Sequence, residues 1–474
     1  MSILKYKEHK FIRNFSLLTI GNFGSRGLAM VTNIILARKM EPENYGEYTV
    51  VLTFISIFYF ISSLGLNQFI IRSVARDQRN SKDYFRISFI LRIGGFFFSA
   101  ICFAIFCIMF PRDWSAIVVF SILAGTLLES IWECQQNISF GMQKMEWNTV
   151  VSLAGAGINV VAFLLLPQKF YSVENVLVIF ILLFFIKDLV YYIGLNNPQM
   201  LTCTSARRTS VNFGTCKDYI TESFPFYILM LMGLFTSQFP VVFLETNAGL
   251  REVAYFNSAN KLIMPMMILV NTIFSAYFPN QSQLYATDRK KFASQTKKIL
   301  LLVAFFVSIS AFGVSLFRYE IVNILYGQQY IGAVDVMAYQ SWYMALYALF
   351  CLNGNTLGAA DSQKKLAICS IVYAVLSAPI LFYSSKFGAV GLSIGFIITS
   401  FINLLYIFPI MMKTINNSLS YCYSIKVLGL IFGFMFFSFV IPNTPNNLLH
   451  RCLFVTLIFL VIIKYVGKLK QFIK

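Results

Sequence analysis

The stretch NFSLLTIGNFGSRGLAMVTNIILA, from Asn14 to Ala37, decides the fold. It carries a single charge, Arg26, in a run longer than the roughly 20 residues with which a helix crosses about 30 Å of hydrocarbon. Similar runs recur to the C-terminal basic tail, which makes the chain an integral membrane protein. Of its 474 residues 58% are hydrophobic and 12% charged, and mean hydropathy is +0.69. No soluble domain has this composition.

Alternating spans from a cytoplasmic N-terminus gives about fourteen, near 14–37, 48–71, 87–110, 114–137, 147–166, 173–195, 222–244, 253–280, 299–317, 333–357, 366–384, 389–412, 425–441 and 449–466. The 38 Lys and Arg outnumber 20 Asp and Glu. They sit in short loops between apolar runs, which points to topology and anionic lipid head groups and away from nucleic acid. Most fall in the predicted cytoplasmic segments and about seven in external ones, as the positive-inside rule requires. The loop with Arg72, Arg76, Arg79, Lys82 and Arg86 and the loop with Arg289, Lys290, Lys291, Lys297 and Lys298 weigh most. Both termini are therefore expected in the cytoplasm, and a cysteine at Ser81 should be labelled only from that side. The first run holds Arg26 and has no small-residue cleavage site, so it reads as a retained span.

The polar break from Asn196 to Thr221 divides the chain. The expected domains are an N-lobe of six spans (1–195), a cytoplasmic linker (196–221), a C-lobe of six spans (222–412), and a final helix pair with a basic tail (413–474). Gln143-Lys144 before the fifth span recurs as Gln363-Lys364 before the eleventh, and the same offset sets Phe110 against Tyr330. The fold class is all-α and polytopic, two six-helix lobes with pseudo-twofold symmetry plus a C-terminal pair, as in transporters with a central substrate site.

Charges within spans are costly, about 2.5–3.5 kcal/mol each on insertion scales, and normally face a bundle interior or a wet cavity. At about 100° per residue Thr19, Asn22 and Asn33 share the face of Arg26. In the eighth span Asn257, Asn260, Lys261, Asn271 and Ser275 cluster likewise. Each stripe has a bland reading, a structural ion pair for Arg26 and snorkelling for Lys261. Two cationic stripes, one per lobe, favour an anionic substrate. Glu129 and Glu133, spaced i, i+4 in the fourth span, repel each other in low dielectric, which favours a proton on one or pairing with a cation. They are the candidates for ion coupling. Lys187 and Asp188 read as a local pair.

Gly391/Gly395 and Gly429/Gly433 fit the small-xxx-small pattern of close helix packing. Nine cysteines are scattered without a CxxC pair, and His9 and His450 are isolated, so no metal centre is expected. Nucleotide-binding, HExxH and GxSxG motifs are absent from the sequence. The expectation is a non-enzyme without cofactor, driven by an H+ or Na+ gradient or by another protein.

The segments 36–48 (LARKMEPENYGEY), 254–261 (AYFNSANK), 325–330 (LYGQQY) and 388–392 (GAVGL) resemble the Wzx-type flippases of bacterial surface polysaccharide pathways. That superfamily also holds the multidrug MATE exporters and the lipid II flippase. The resemblance extends over about the first 410 residues. It implies an undecaprenyl-pyrophosphate-linked oligosaccharide, such as an O-antigen unit, carried across the bacterial inner membrane by alternating access. Membrane lipids, a polysaccharide polymerase and a chain-length regulator are the other partners it implies. Arg26 and Lys261 would meet the pyrophosphate, with Asn22, Asn33, Asn257, Asn260 and Asn271 beside them; Lys261 offers a point charge without the fork of arginine. The alternatives are a MATE-like drug/ion antiporter, which should concentrate carboxylates in its cavity, and the lipid II flippase. A polysaccharide polymerase would need a large external loop, and none longer than about twenty residues is predicted.

Overall fold

A computed structural model describes residues 2–195, 213–414 and 421–440. The described residues are helical throughout, in sixteen α-helices joined by short turns, and nine of these segments are long and apolar enough to span a membrane. In hydrocarbon this is forced, because only helices satisfy every backbone N–H and C=O within one segment. The chain folds as two compact units, 1–245 and 246–474.

The first unit contains α1 (Ser2–Lys39), α2 (Pro42–Ser63), α3 (Leu66–Arg76), α4 (Ser81–Met109), α5 (Ala116–Gly141), α6 (Met145–Leu165), α7 (Val173–Leu195), α8 (Phe213–Ser237) and most of α9 (Phe239–Ala248). Two predicted spans are broken. The run 48–71 divides between α2 and α3 at Leu64 (φ 50°) and Gly65 (φ 71°). The Leu64 carbonyl released by this turn accepts a bond from Ser223 Oγ of α8 at 2.8 Å. A Cβ at Gly65 would lie 2.6 Å from the Tyr227 nitrogen, so the close approach of α8 requires glycine there. The run 222–244 divides between α8 and α9 just before Pro240, whose ring suits a first helical turn and lacks the donor a continuous helix needs.

Arg92 of α4, 2% exposed, pins the middle of this unit. Its guanidinium donates to the Ser130 carbonyl of α5 (3.2 Å) and to Asn67 Oδ1 of α3. Asn67 Oδ1 also accepts from Asn137 (3.0 Å), and its amide donates to the Tyr59 hydroxyl of α2 (2.8 Å). Four helices thus share one buried cation, and the break between α2 and α3 is what brings Asn67 to it. At the other end of α4, Arg112 pairs with Glu245 of α9 and lies over the rings of Phe54, Phe106 and Trp114.

The second unit contains α10 (Leu250–Thr287), α11 (Arg289–Leu316), α12 (Arg318–Tyr326), α13 (Ala333–Ala359), α14 (Gln363–Ser385), α15 (Gly388–Thr414) and α16 (Tyr421–Val440). Helix α13 is its centre and packs on α10, α11, α14 and α15. Trp342, fully buried, donates to Ser438 Oγ at 3.0 Å and so fastens α16, the thirteenth predicted span, to this unit. The fourteenth span, 449–466, and residues 196–212 of the expected linker lie outside the described residues.

Each unit has a turn of the same backbone geometry ahead of a helix. Gln143 (φ 56°) precedes α6 by two residues, and Asp361 (φ 52°) precedes α14 by two. The turns therefore correspond two residues away from the register suggested by the Gln-Lys echo. Gly391 and Gly395 lie against Ser384, so α14 and α15 meet closely there. Gly429 and Gly433 have no neighbour within 4 Å among the described residues, and the span predicted to follow them lies outside those residues.

Two outcomes follow. Arg92→Met removes two charge-assisted bonds and should lower the stability of the detergent-solubilised protein by about 3 kcal/mol, with Arg92→Lys intermediate; an unchanged unfolding midpoint would refute the pinning role. Ser81 is fully buried at the start of α4 while Lys82 is exposed, so Lys82 is the position at which to test topology. Lys82→Cys should react with an impermeant maleimide only from the cytoplasmic side, and labelling in intact cells would reverse the orientation.

Candidate functional site

Helix α1 packs along α6 through a glycine face, with a Cβ at Gly21 falling 2.9 Å from Thr149 Oγ1. Asn22 and Arg26 project from roughly the opposite side and are exposed. No carboxylate among the described residues pairs with Arg26. Asn33 has another task. Its amide donates to the Ala29 carbonyl (2.7 Å) and its oxygen accepts from Tyr45 (3.2 Å), a fully buried tyrosine of the 36–48 segment.

On α10, Lys261 and Asn260 are half-buried neighbours, and no described carboxylate pairs with Lys261. Asn257 is buried and donates to the Val253 carbonyl of its own helix at 3.1 Å. The side chains of Thr19, Asn271 and Ser275 lie outside the described ones. Each unit thus presents one cation and one asparagine from its polar stripe, Arg26 with Asn22 and Lys261 with Asn260.

The family-like segments in the second unit are mostly structural. Tyr326 donates to the Ser258 carbonyl (3.0 Å), Tyr330 packs edge-on against Tyr255, and Gly327 (φ 84°) makes the turn between them. Glu252 accepts from the Ala389 nitrogen at 2.7 Å, which ties the start of α15 to the start of α10. The segments therefore orient α10, and with it Lys261.

Glu129 and Glu133 occupy a separate cluster in the first unit. Both are half-buried on α5 and interact electrostatically with Lys187 of α7; Glu133 also does so with Arg92. Lys187 Nζ stands over Trp132 and Phe184, 3.8 and 3.9 Å from the ring centroids. Asp188 is 4% exposed, and neither carboxylate oxygen has a hydrogen-bond partner. Lys187 and Asp188 make no hydrogen bond to each other, since adjacent helical positions point about 100° apart, but their charges interact as the expected local pair. The cluster sets three carboxylates against two cations. Arg92 was readable as an arginine inside a predicted span, but its partners come from two other helices and no spacing announces them.

Among solved structures the chain resembles the lipid II flippase MurJ in an inward closed conformation, with a TM-score of 0.71, 14% identity and 96% and 99% of the two chains covered. An inward-facing MATE family multidrug resistance transporter of the MOP superfamily matches with a TM-score of 0.67, 15% identity and coverage of 83% and 96%. At these identities the likeness is one of fold, the fold these two transporters share. A candidate O-antigen transporter of Shigella dysenteriae is 22% identical over 385 residues, 78% of this chain and 92% of that protein. The model of the family described as polysaccharide biosynthesis protein matches residues 11–285, more than half of the sequence, and the chain belongs to that family.

Proposed function

We propose that the protein is a flippase that moves a polyprenyl-pyrophosphate-linked oligosaccharide, an O-antigen or related surface-polysaccharide unit, from the inner to the outer leaflet of the bacterial inner membrane. The observation that carries this reading is the contrast between two kinds of in-span cation. Arg92 and Lys187 are occupied by protein groups, whereas Arg26 and Lys261 have no carboxylate partner among the described residues. A cation held at membrane depth without a protein anion is explained by an anionic ligand. Family membership, the MOP fold and the likeness to a candidate O-antigen transporter support the same conclusion.

The chemistry suits the task. A sugar-pyrophosphate cannot enter hydrocarbon unaided, because its charges and hydroxyls would lose water without replacement. Arg26 and Lys261 replace counter-ions, Asn22 and Asn260 replace water, and the polyprenyl tail stays in lipid. In this reading the residues act by binding and orienting the head group, and no covalent step is involved. Both termini are cytoplasmic, and polymerase and chain-length regulator act on the delivered unit.

The acid-rich cluster of α5 and α7 is the proposed coupling element. With all groups ionised, Glu129, Glu133 and Asp188 exceed Arg92 and Lys187 by one negative charge, which one H+ or Na+ would neutralise. Moving one charge through 100 mV is worth about 2.3 kcal/mol, enough to bias the cycle.

Arg26→Ala and Lys261→Ala should each leave protein in the membrane and abolish surface polysaccharide, with lipid-linked intermediate accumulating on the inner leaflet of a flippase-null strain. Normal polysaccharide from both at native expression would remove the assignment. Glu129→Gln should leave substrate binding intact while flipping in proteoliposomes loses its response to an imposed ion gradient; an undiminished response would exclude the cluster as the coupling site.

A further inference from the structure

Helix α9 is ten residues long and lies between two breaks, the one ahead of Pro240 and the turn at Gly249 (φ 91°), which has open space around it. Val241 and Leu244 are buried, so its inner face is covered, but no other described helix runs closely along it. The division between the two compact units falls inside it, after Glu245. Side-chain ties therefore hold its end. Asn247 Nδ2 donates to Ser385 Oγ at 2.7 Å and to the Phe382 carbonyl at 3.4 Å, both on α14, and Glu252 just beyond accepts from the Ala389 nitrogen. On the other side of Thr246, the Glu245 carboxylate meets Arg112, which lies in the turn between α4 and α5.

The two ties differ in how readily they yield. Three hydrogen bonds act together on the side of α14 and α15. On the Arg112 side one carboxylate oxygen makes the contact, while Glu245 Oε2 has no hydrogen-bond partner, so the bidentate pairing open to arginine is not made. Both side chains keep access to solvent, at 18% and 17% exposed, so parting them strands neither charge. Arg92, at 2% exposed, has no such freedom. The parted guanidinium also has a place to rest. Its centre lies 5.1, 5.2 and 5.7 Å from the ring centroids of Phe54, Trp114 and Phe106, and aromatic faces attract a cation. Arg112 thus has two settled arrangements, paired or held by the rings alone, which is what a switch requires.

We propose that Arg112 and Glu245 form a releasable latch at the external end of α9, paired while the lipid carrier is loaded and parted when its head group leaves to the outer leaflet. This rests on the flippase reading above. The external placement follows from the topology tested at Lys82, because α4 runs outward from that residue to the turn that holds Arg112. Release leaves the end of α9 held by Asn247 alone, and with it frees the start of α10, the helix that carries Lys261.

The test replaces Arg112 and Glu245 together with cysteine in a chain whose nine native cysteines are alanine, reconstituted in proteoliposomes with a polyprenyl-diphosphate oligosaccharide. The unbridged double variant should still flip the probe. Joining the two thiols with a short reducible bis-methanethiosulfonate should abolish flipping while binding of the probe persists, and dithiothreitol should restore it. Flipping undiminished by the bridge would make the pair a static brace, overturning the latch and leaving the flippase reading standing. A second measurement does not depend on flipping. Glu245→Gln, which keeps the shape and removes the charge, should speed external maleimide labelling of a cysteine at half-buried Ala248 about fivefold, the equivalent of the ~1 kcal/mol of a partly exposed ion pair, without moving the unfolding midpoint. Unchanged labelling would overturn the latch. Faster labelling in a chain that flips no probe in any form would keep the latch as an external closure and overturn the flippase reading.

Discussion

Hydrocarbon supplies no partner to a charge, so a cation inside a membrane bundle must be answered by the protein or by a ligand. Arg92 shows the first case. Its guanidinium is met by a backbone carbonyl and an asparagine from two other helices, and that asparagine in turn holds a tyrosine of a fourth. The break at Leu64–Gly65 exists within this constraint, since a continuous second span would carry Asn67 along a different line. The first unit is in this sense folded around one buried charge.

Arg26 and Lys261 are proposed as the second case. The elements that present them are built with care: a glycine face seats α1 on α6, and the Tyr326, Tyr330 and Glu252 contacts fix the start of α10. Segments that resemble a flippase family at the level of sequence thus support helices whose cations, Arg26 and Lys261, have no carboxylate partner among the described residues. A transporter needs this division of labour. Groups that bind the cargo must be pre-positioned and yet unsatisfied, because a partner within the protein would compete with the substrate for each of them.

Much of this was legible in the sequence because hydropathy and charge order act locally. Most helices lie where the apolar runs predicted them, and the in-span cations and acids were visible as interruptions. What escaped depends on contacts between distant segments. The breaks at Leu64 and Pro240 interrupt no hydropathy signal, for the flanking residues are as apolar as any others. Arg92 was not singled out by the sequence, because its partners lie on other helices and no spacing announces them. Asn33 shared a helical face with Arg26, but helical phase cannot foresee that Tyr45 would claim it.

The most direct measurement asks whether position 26 needs a positive charge in a water-accessible place. Arg26→Cys should be inactive in proteoliposomes that flip a polyprenyl-diphosphate oligosaccharide. Reaction with aminoethyl methanethiosulfonate, which restores a cation, should recover flipping, whereas neutral methyl methanethiosulfonate should react without recovering it. Failure of both reagents to reach the thiol, or equal recovery with both, would contradict a cationic site for the substrate.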